Sequence, residues 1–204
     1  MNWLAHILLS KTDVQYQLGN LLADPMKGRL WDSAGQSLHD GVKMHKAIDV
    51  FTDSHGVVSV CKAKLGSKGY LKGVVVDLLY DHFLTLEWSK YSSVALEMFL
   101  DEFYSSALLA SKSYPSEPRE IILKIVKSSH LSSYGSFDGF ALSLERIESR
   151  LSERIRGKDS AMRYLPVVEN KYEEMKKDFD LFFPELVSFF KTHKLGDKTD
   201  NFLV

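Results

Sequence analysis

The chain has 204 residues, of which 45% are hydrophobic and 26% charged, with a net charge of -1. That length is enough to bury one sizeable core, and the twelve Phe, nine Tyr and three Trp argue against disorder. A balanced charge provides no global field to draw in nucleic acid or a membrane surface, and one cysteine, Cys61, excludes an internal disulfide framework and Cys-based zinc sites.

The elements follow in order. Trp3 to Leu9 is an apolar run interrupted by His6 and predicts a short buried helix. Residues 14–27 predict a second, with Leu18, Leu21 and Leu22 on its apolar face and Asp24-Pro25 near its end. Residues 28–40, with Gly28 and Gly35, read as a connection, and 41–55 as a third helix. A helix near 56–65 ends at the breaker cluster Leu65-Gly66-Ser67-Lys68-Gly69. Residues 70–89 are strongly apolar; Val74, Val75 and Val76 also suit a strand, but the length of the run favours a central buried helix.

Beyond these, Leu96, Phe99, Leu100 and Phe103 recur at helical spacing over 93–110. Pro115 and Pro118 mark a loop before a short helix over 119–131. Residues 132–138 read as a turn, with Asp138 as the N-cap of an amphipathic helix over 139–156. A last helix covers 166–192, bent before Pro184, and the polar tail after Gly196 is expected to fray. The pattern predicts one all-α domain over 1–204, with a chemical half over about 1–90 and supporting helices over about 91–195. No signal peptide or membrane span is expected, and the lone cysteine suits a reducing cytoplasm.

The chemistry concentrates early. Five of seven histidines lie at or before position 82: His6, His39, His45, His55 and His82. His45, Asp49 and Asp53 step by four, as do Asn20 and Asp24, and Asp77 and Asp81, with His82 adjacent. Residues four apart share a helix face, so each set forms a polar row. Carboxylates in apolar helices need compensation, and a divalent cation supplies it where imidazoles and carboxylates converge. A mixed His/Asp set suits Mn²⁺, Fe²⁺ or Zn²⁺, whereas oxygen alone favours Mg²⁺ or Ca²⁺. Singly, each residue has an ordinary structural role open to it: a core histidine at His6, a turn at Asp24, a solvated face at Asp49 and Asp53, and a helix end at His130. The P-loop, the Gly-x-Ser-x-Gly elbow and His-Glu-x-x-His are absent. Cys61 reads as structural. Lys62, Lys64, Lys68 and Lys72 flank the glycine loop, and Arg146, Arg150 and Arg154 share a helix face.

The opening Met-Asn-Trp-Leu-Ala-His, Gly19-Asn-Leu-Leu-Ala-Asp24, the stretch from Gly41 through His45 to Asp53, and Asp77-Leu-Leu-Tyr-Asp-His-Phe-Leu84 resemble the acyl carrier protein phosphodiesterases. The match is dense over 1–88. Further on, Tyr172 and Phe182-Phe183-Pro184 resemble that family's C-terminal stretch. The resemblance implies a helical bundle related to HD-type phosphohydrolases. It implies hydrolysis of 4′-phosphopantetheine from holo-acyl carrier protein, and a divalent metal, most often Mn²⁺. It carries over His6, Asp24, His45, Asp49, Asp53, Asp77, Asp81 and His82. Leu8 stands where family members often have a second histidine, and Lys46 where they have arginine.

The resulting expectation has His6, Asp24, His45, Asp81 and His82 around the metal. Asp49, Asp53, Asp77 and Lys46 act catalytically, with Asn2 and Asn20 orienting ligands. Lys62, Lys64, Lys68 and Lys72 receive the acidic carrier protein, in preference to the 146–163 arginines. Two alternatives stay open: an HD-like phosphohydrolase of nucleotides or small phosphoesters, and a non-catalytic helical module that binds the carrier protein.

Overall fold

The computed structural model describes residues 3–128 and 135–204. Among them the architecture is all-α. In chain order the helices are α1 (Trp3–Leu8), α2 (Val14–Leu22), α3 (Gln36–Ser54), α4 (Gly56–Lys64), α5 (Lys72–Leu86), α6 (Trp88–Tyr91), α7 (Leu96–Ser111), α8 (Ser116–Ser128), α9 (Phe137–Arg150), α10 (Glu153–Arg156), α11 (Leu165–Asn170) and α12 (Tyr172–Thr192). No helix among the described residues is long and apolar enough to cross a membrane. The core gathers Tyr80 and Phe83 of α5 with Phe179, Phe182, Phe183 and Phe190 of α12, all fully buried.

The valine run is helical. Val75 and Val76 are buried within α5, where packing outweighs their preference for strands. Several predicted boundaries move. Helix α2 stops at Leu22 and gives way to a tight turn, with Gly28 N–H bonded to Ala23 O at 2.6 Å. Helix α3 begins at Gln36, five residues earlier than expected, with Gly35 as its extended N-cap. The 139–156 segment divides at Leu151, whose backbone is extended, and its N-cap is Ser136, not Asp138. Ser136 Oγ accepts from Gly139 N–H at 3.1 Å. Helix α12 continues through Pro184.

The tail does not fray. Ser93 N–H donates to Phe202 O at 2.8 Å, Val204 N–H donates to Tyr91 O at 3.1 Å, and Phe202 packs edge-on against Phe99. Two apolar residues near the end of the tail were enough to dock it on α6 and α7.

One contact sets the geometry of the first half. Helices α2 and α3 cross at glycines with their backbones touching. A Cβ at Gly41 would lie 2.1 Å from Tyr16 O and 2.8 Å from Asn20 N, and one at Gly19 would lie 2.1 Å from Leu38 O. Those obstacles are backbone and cannot rotate away. Gly41 is therefore inside a helix because of the close approach, despite its low helix propensity. Gly41→Ala should cost about 2–3 kcal/mol or more through overpacking and lower Tm by several degrees in thermal unfolding. Gly56→Ala, at the start of α4 and meeting nothing within 4 Å, should leave Tm nearly unchanged or slightly raised. Equal melting of Gly41→Ala and wild type would contradict the crossing.

Candidate metal centre

The crossing brings residues of α1, α2 and α3 to one place. His6 is buried on α1, and its ring stacks on that of His45 from α3, with centroids 4.0 Å apart and planes at 19°. Asp49 follows His45 by one helical turn and touches both rings. Its Oδ1 is 3.3 Å from His6 Nε2 and its Oδ2 is 3.1 Å from His45 Nε2. Asp24, in the turn after α2, places Oδ1 at 3.1 Å from the same His45 Nε2. The imidazoles close the site from the core. The carboxylates open it to solvent, Asp49 being 39% and Asp24 74% exposed.

Asn20 settles the state of His6. Its Nδ2 donates to His6 O at 2.7 Å, Leu9 O at 3.3 Å and Ser10 Oγ at 3.0 Å. Its Oδ1 is therefore the acceptor for His6 Nδ1, at 2.9 Å. Nδ1 carries the proton. Burial, opposed by the contact with Asp49, lowers the His6 pKa to about 4, so the ring is neutral at pH 7. The unprotonated Nε2 then points its lone pair at a carboxylate oxygen, and it makes no hydrogen bond. Two acceptors face each other across 3.3 Å in a buried setting. A cation between them turns that repulsion into coordination.

His45 is buried too. Desolvation lowers its pKa, but hydrogen bonds to Asp24 and Asp49 outweigh burial and raise it to about 9. The same bonds hold Asp24 below the ordinary carboxylate range, and Asp49 is likewise lowered against the effect of its burial. Among the described residues, His6, His45 and Asp49 are the group whose ligand atoms all lie within 4.8 Å of one another. Ligands around one ion at tetrahedral angles stand roughly 3.4 Å apart, close to these separations. The donor set fits a divalent cation.

The other expected residues lie elsewhere. Asp81 is fully buried, and its two oxygens accept Leu4 N–H at 2.9 Å and Ala5 N–H at 3.3 Å. It holds the first turn of α1 and so positions His6 from behind. Burial raises its pKa to about 7 despite those N–H groups. His82, one residue on, meets other neighbours, its Nε2 2.7 Å from Tyr172 Oη and its ring packed near Phe140. Asp77 is half-buried on α5 and does not join the group. Asp53 pairs with Lys62 at 2.7 Å, and Lys64 with Asp178 at 2.6 Å. Lys46 Nζ lies over the turn that carries Asp24, where a Cβ on Gly28 would come within 2.9 Å of it. Cys61 is buried, and burial pushes its thiol up to about 12. Asn2 and His130 lie outside the described residues. Ser10 accepts from Asn20 although nothing in its local sequence marks it, and Tyr172, which the resemblance marks, meets His82 rather than the cluster.

A family model described as acyl carrier protein phosphodiesterase matches residues 1–186. The chain belongs to this family. A relative so named from Photorhabdus laumondii is 36% identical over 92 residues, 44% of this chain and 46% of its own. One from Serratia proteamaculans is 32% identical over 110 residues, 53% and 57% of the two chains. One from an Enterobacter species is 27% identical over 200 residues, 96% and 100% of the two chains. The matched stretch thus spans about half the length of the first two relatives and all of the third. No solved structure matches the chain.

The geometry separates ligands from supports. Asn20→Ala should weaken binding of Mn²⁺ or Zn²⁺ by about 10–100-fold, because His6 loses its fixed tautomer. His6→Ala should weaken it further. Asp81→Asn keeps an oxygen for Leu4 N–H and should bind metal within a few-fold of wild type. Calorimetric titration of each variant measures this. Loss of metal in Asp81→Asn matching that in His6→Ala would place an Asp81 oxygen on the ion.

Proposed function

We propose that the chain hydrolyses the phosphodiester joining 4′-phosphopantetheine to a serine of holo-acyl carrier protein, releasing apo-carrier protein and phosphopantetheine. Membership of the family and the names of its relatives support this substrate. The observation that carries the chemistry is the His6 Nε2 lone pair facing Asp49 Oδ1 at 3.3 Å, a seat for a cation at a solvent-open cluster.

His6, His45 and Asp49 would hold the ion, and their mixed nitrogen and oxygen donors suit Mn²⁺, with Fe²⁺ and Zn²⁺ next. When bound, such an ion lowers the pKa of a water ligand and polarises a phosphoryl oxygen. The chain supplies the rest. Asp24 is kept ionised by its bond to His45, and its exposed carboxylate is placed to accept a hydrogen bond from the attacking water. Lys46 brings a positive charge beside the same turn, toward the anionic phosphoryl oxygens. Asn20 and Asp81 keep His6 in its ligating state and place. A reducing cytoplasm suits the single buried thiol.

The test is the intact mass of holo-acyl carrier protein incubated with the protein and Mn²⁺, with and without chelator. Metal-dependent loss of the phosphopantetheine mass is expected, and His45→Ala should slow it by at least about 100-fold with the helical signal retained. An unchanged rate in His45→Ala would overturn the assignment of the centre. No loss with any divalent metal, together with turnover of a small phosphodiester, would redirect the substrate to nucleotides or small phosphoesters.

A further inference from the structure

Two basic segments about 90 residues apart in sequence meet on the surface. The first is the glycine loop between α4 and α5, with Lys68 and Tyr70 exposed and Lys72 half-buried. The second runs from the end of α10 through a 3₁₀ turn at Met162–Tyr164, and it exposes Lys158 and Arg163. Asp159 ties them together. Its buried carboxylate accepts Leu71 N–H at 2.9 Å and Tyr164 O–H at 2.9 Å, and pairs with Arg163 at 2.7 Å. Arg163 in turn donates to Lys68 O at 3.0 Å. Gly69, at φ +147°, permits the approach, because any Cβ there would fall 1.8 Å from Tyr164 Oη.

The clamp holds the loop through Asp159 and Arg163. Tyr70 is 66% exposed, with Lys158 Nζ 5.3 Å from its ring centroid. Among the described residues, no ion pair occupies Lys68, Lys72 or Lys158. An exposed aromatic with Lys158 over its ring, on a loop that also carries Lys68 and Lys72 (the latter donating to Gly66 O at 2.8 Å), has the make-up of a docking site for an acidic protein face. A chain of contacts runs from the patch toward the helix that carries His45 and Asp49. Asp53 lies one turn past Asp49 and pairs with Lys62, and a Cβ on Gly73, beside Lys72, would sit 3.9 Å from Lys62 Nζ.

We infer that Tyr70, Lys68, Lys72 and Lys158, held by the Asp159 clamp, form one docking surface for the acidic face of the carrier protein. This rests on the function proposed above for its choice of partner, and it brings in the 158–163 segment, which the sequence ranks behind the 62–72 lysines for docking. The clamp makes the surface preorganised, so binding orders little beyond the lysine side chains.

The experiment measures KM and kcat on holo-acyl carrier protein, hydrolysis of bis(p-nitrophenyl) phosphate, and direct calorimetric binding of the carrier protein, for wild type, Lys158→Glu, Lys68→Glu/Lys158→Glu and Tyr70→Ala. Circular dichroism checks folding of each. Expected is a KM rise of roughly tenfold in the double variant, a flatter salt dependence, and no matching change in kcat or small-diester hydrolysis. Unchanged KM and binding in Lys158→Glu and Tyr70→Ala would overturn the docking surface while leaving the reaction standing. If wild type cleaves no diester, the proposed reaction fails, and calorimetry still decides the surface. Binding lost in the double variant supports it, and absence of binding by wild type overturns it.

Discussion

The hydrogen bond between Asn20 and His6 is the interaction on which the centre depends. Asn20 has four groups to satisfy in a fully buried position, and it reaches His6 O, Leu9 O, Ser10 Oγ and His6 Nδ1 with one amide. That arrangement fixes the side of the imidazole that carries hydrogen, and so the side that presents a lone pair. Without it, His6 would be a neutral core histidine free to donate to Asp49, and the cluster would have no need of a cation. An unpaired buried amide or imidazole N–H costs about 1–3 kcal/mol, so the network is hard to alter in part.

The fold carries glycine where helices are expected to avoid it because α3 must reach the same place. Asn20 joins α2 to His6 of α1, and the flush contact of α2 with α3 at Gly19 and Gly41 brings α3, with His45 and Asp49, against α2. Asp81 acts from the other side, where its oxygens hold the start of α1. His6 is thus fixed through its ring by α2 and through its backbone by α5. The open side of the centre faces Asp24 and Asp49, while the imidazoles stay buried.

Much of this was legible in the sequence. The helical class followed from periodicity, and the step of four from His45 to Asp49 placed both on one face of α3. His6, Asp24 and His45 came from the resemblance, and Asn20 was expected to orient a ligand; that the ligand it orients is His6 is shown only by the structure. What escaped is what periodicity cannot carry. Adjacent residues on a helix point about 100° apart, so Asp81 and His82 reach different neighbours, one capping α1 and the other meeting Tyr172 on α12. The early start of α3 was hidden because the polar residues after Gly35 read as part of the connection, Leu38 being the one apolar residue among them. Docking of the tail rests on Phe202 and Leu203, too few residues to form a pattern. The link between the 66–71 loop and the 158–163 segment rests on Asp159, whose partners are distant in the chain.

The most direct measurement is a long-range ¹H–¹⁵N correlation spectrum of the histidine rings, recorded without metal and during titration with Zn²⁺. In the metal-free protein, His6 should show a protonated Nδ1 and an unprotonated Nε2 at neutral pH. Added Zn²⁺ should shift the Nε2 resonances of His6 and His45 together at one equivalent and leave those of His82 in place. A His6 ring protonated on Nε2, or a His82 resonance that moves in step with His45, would contradict the account.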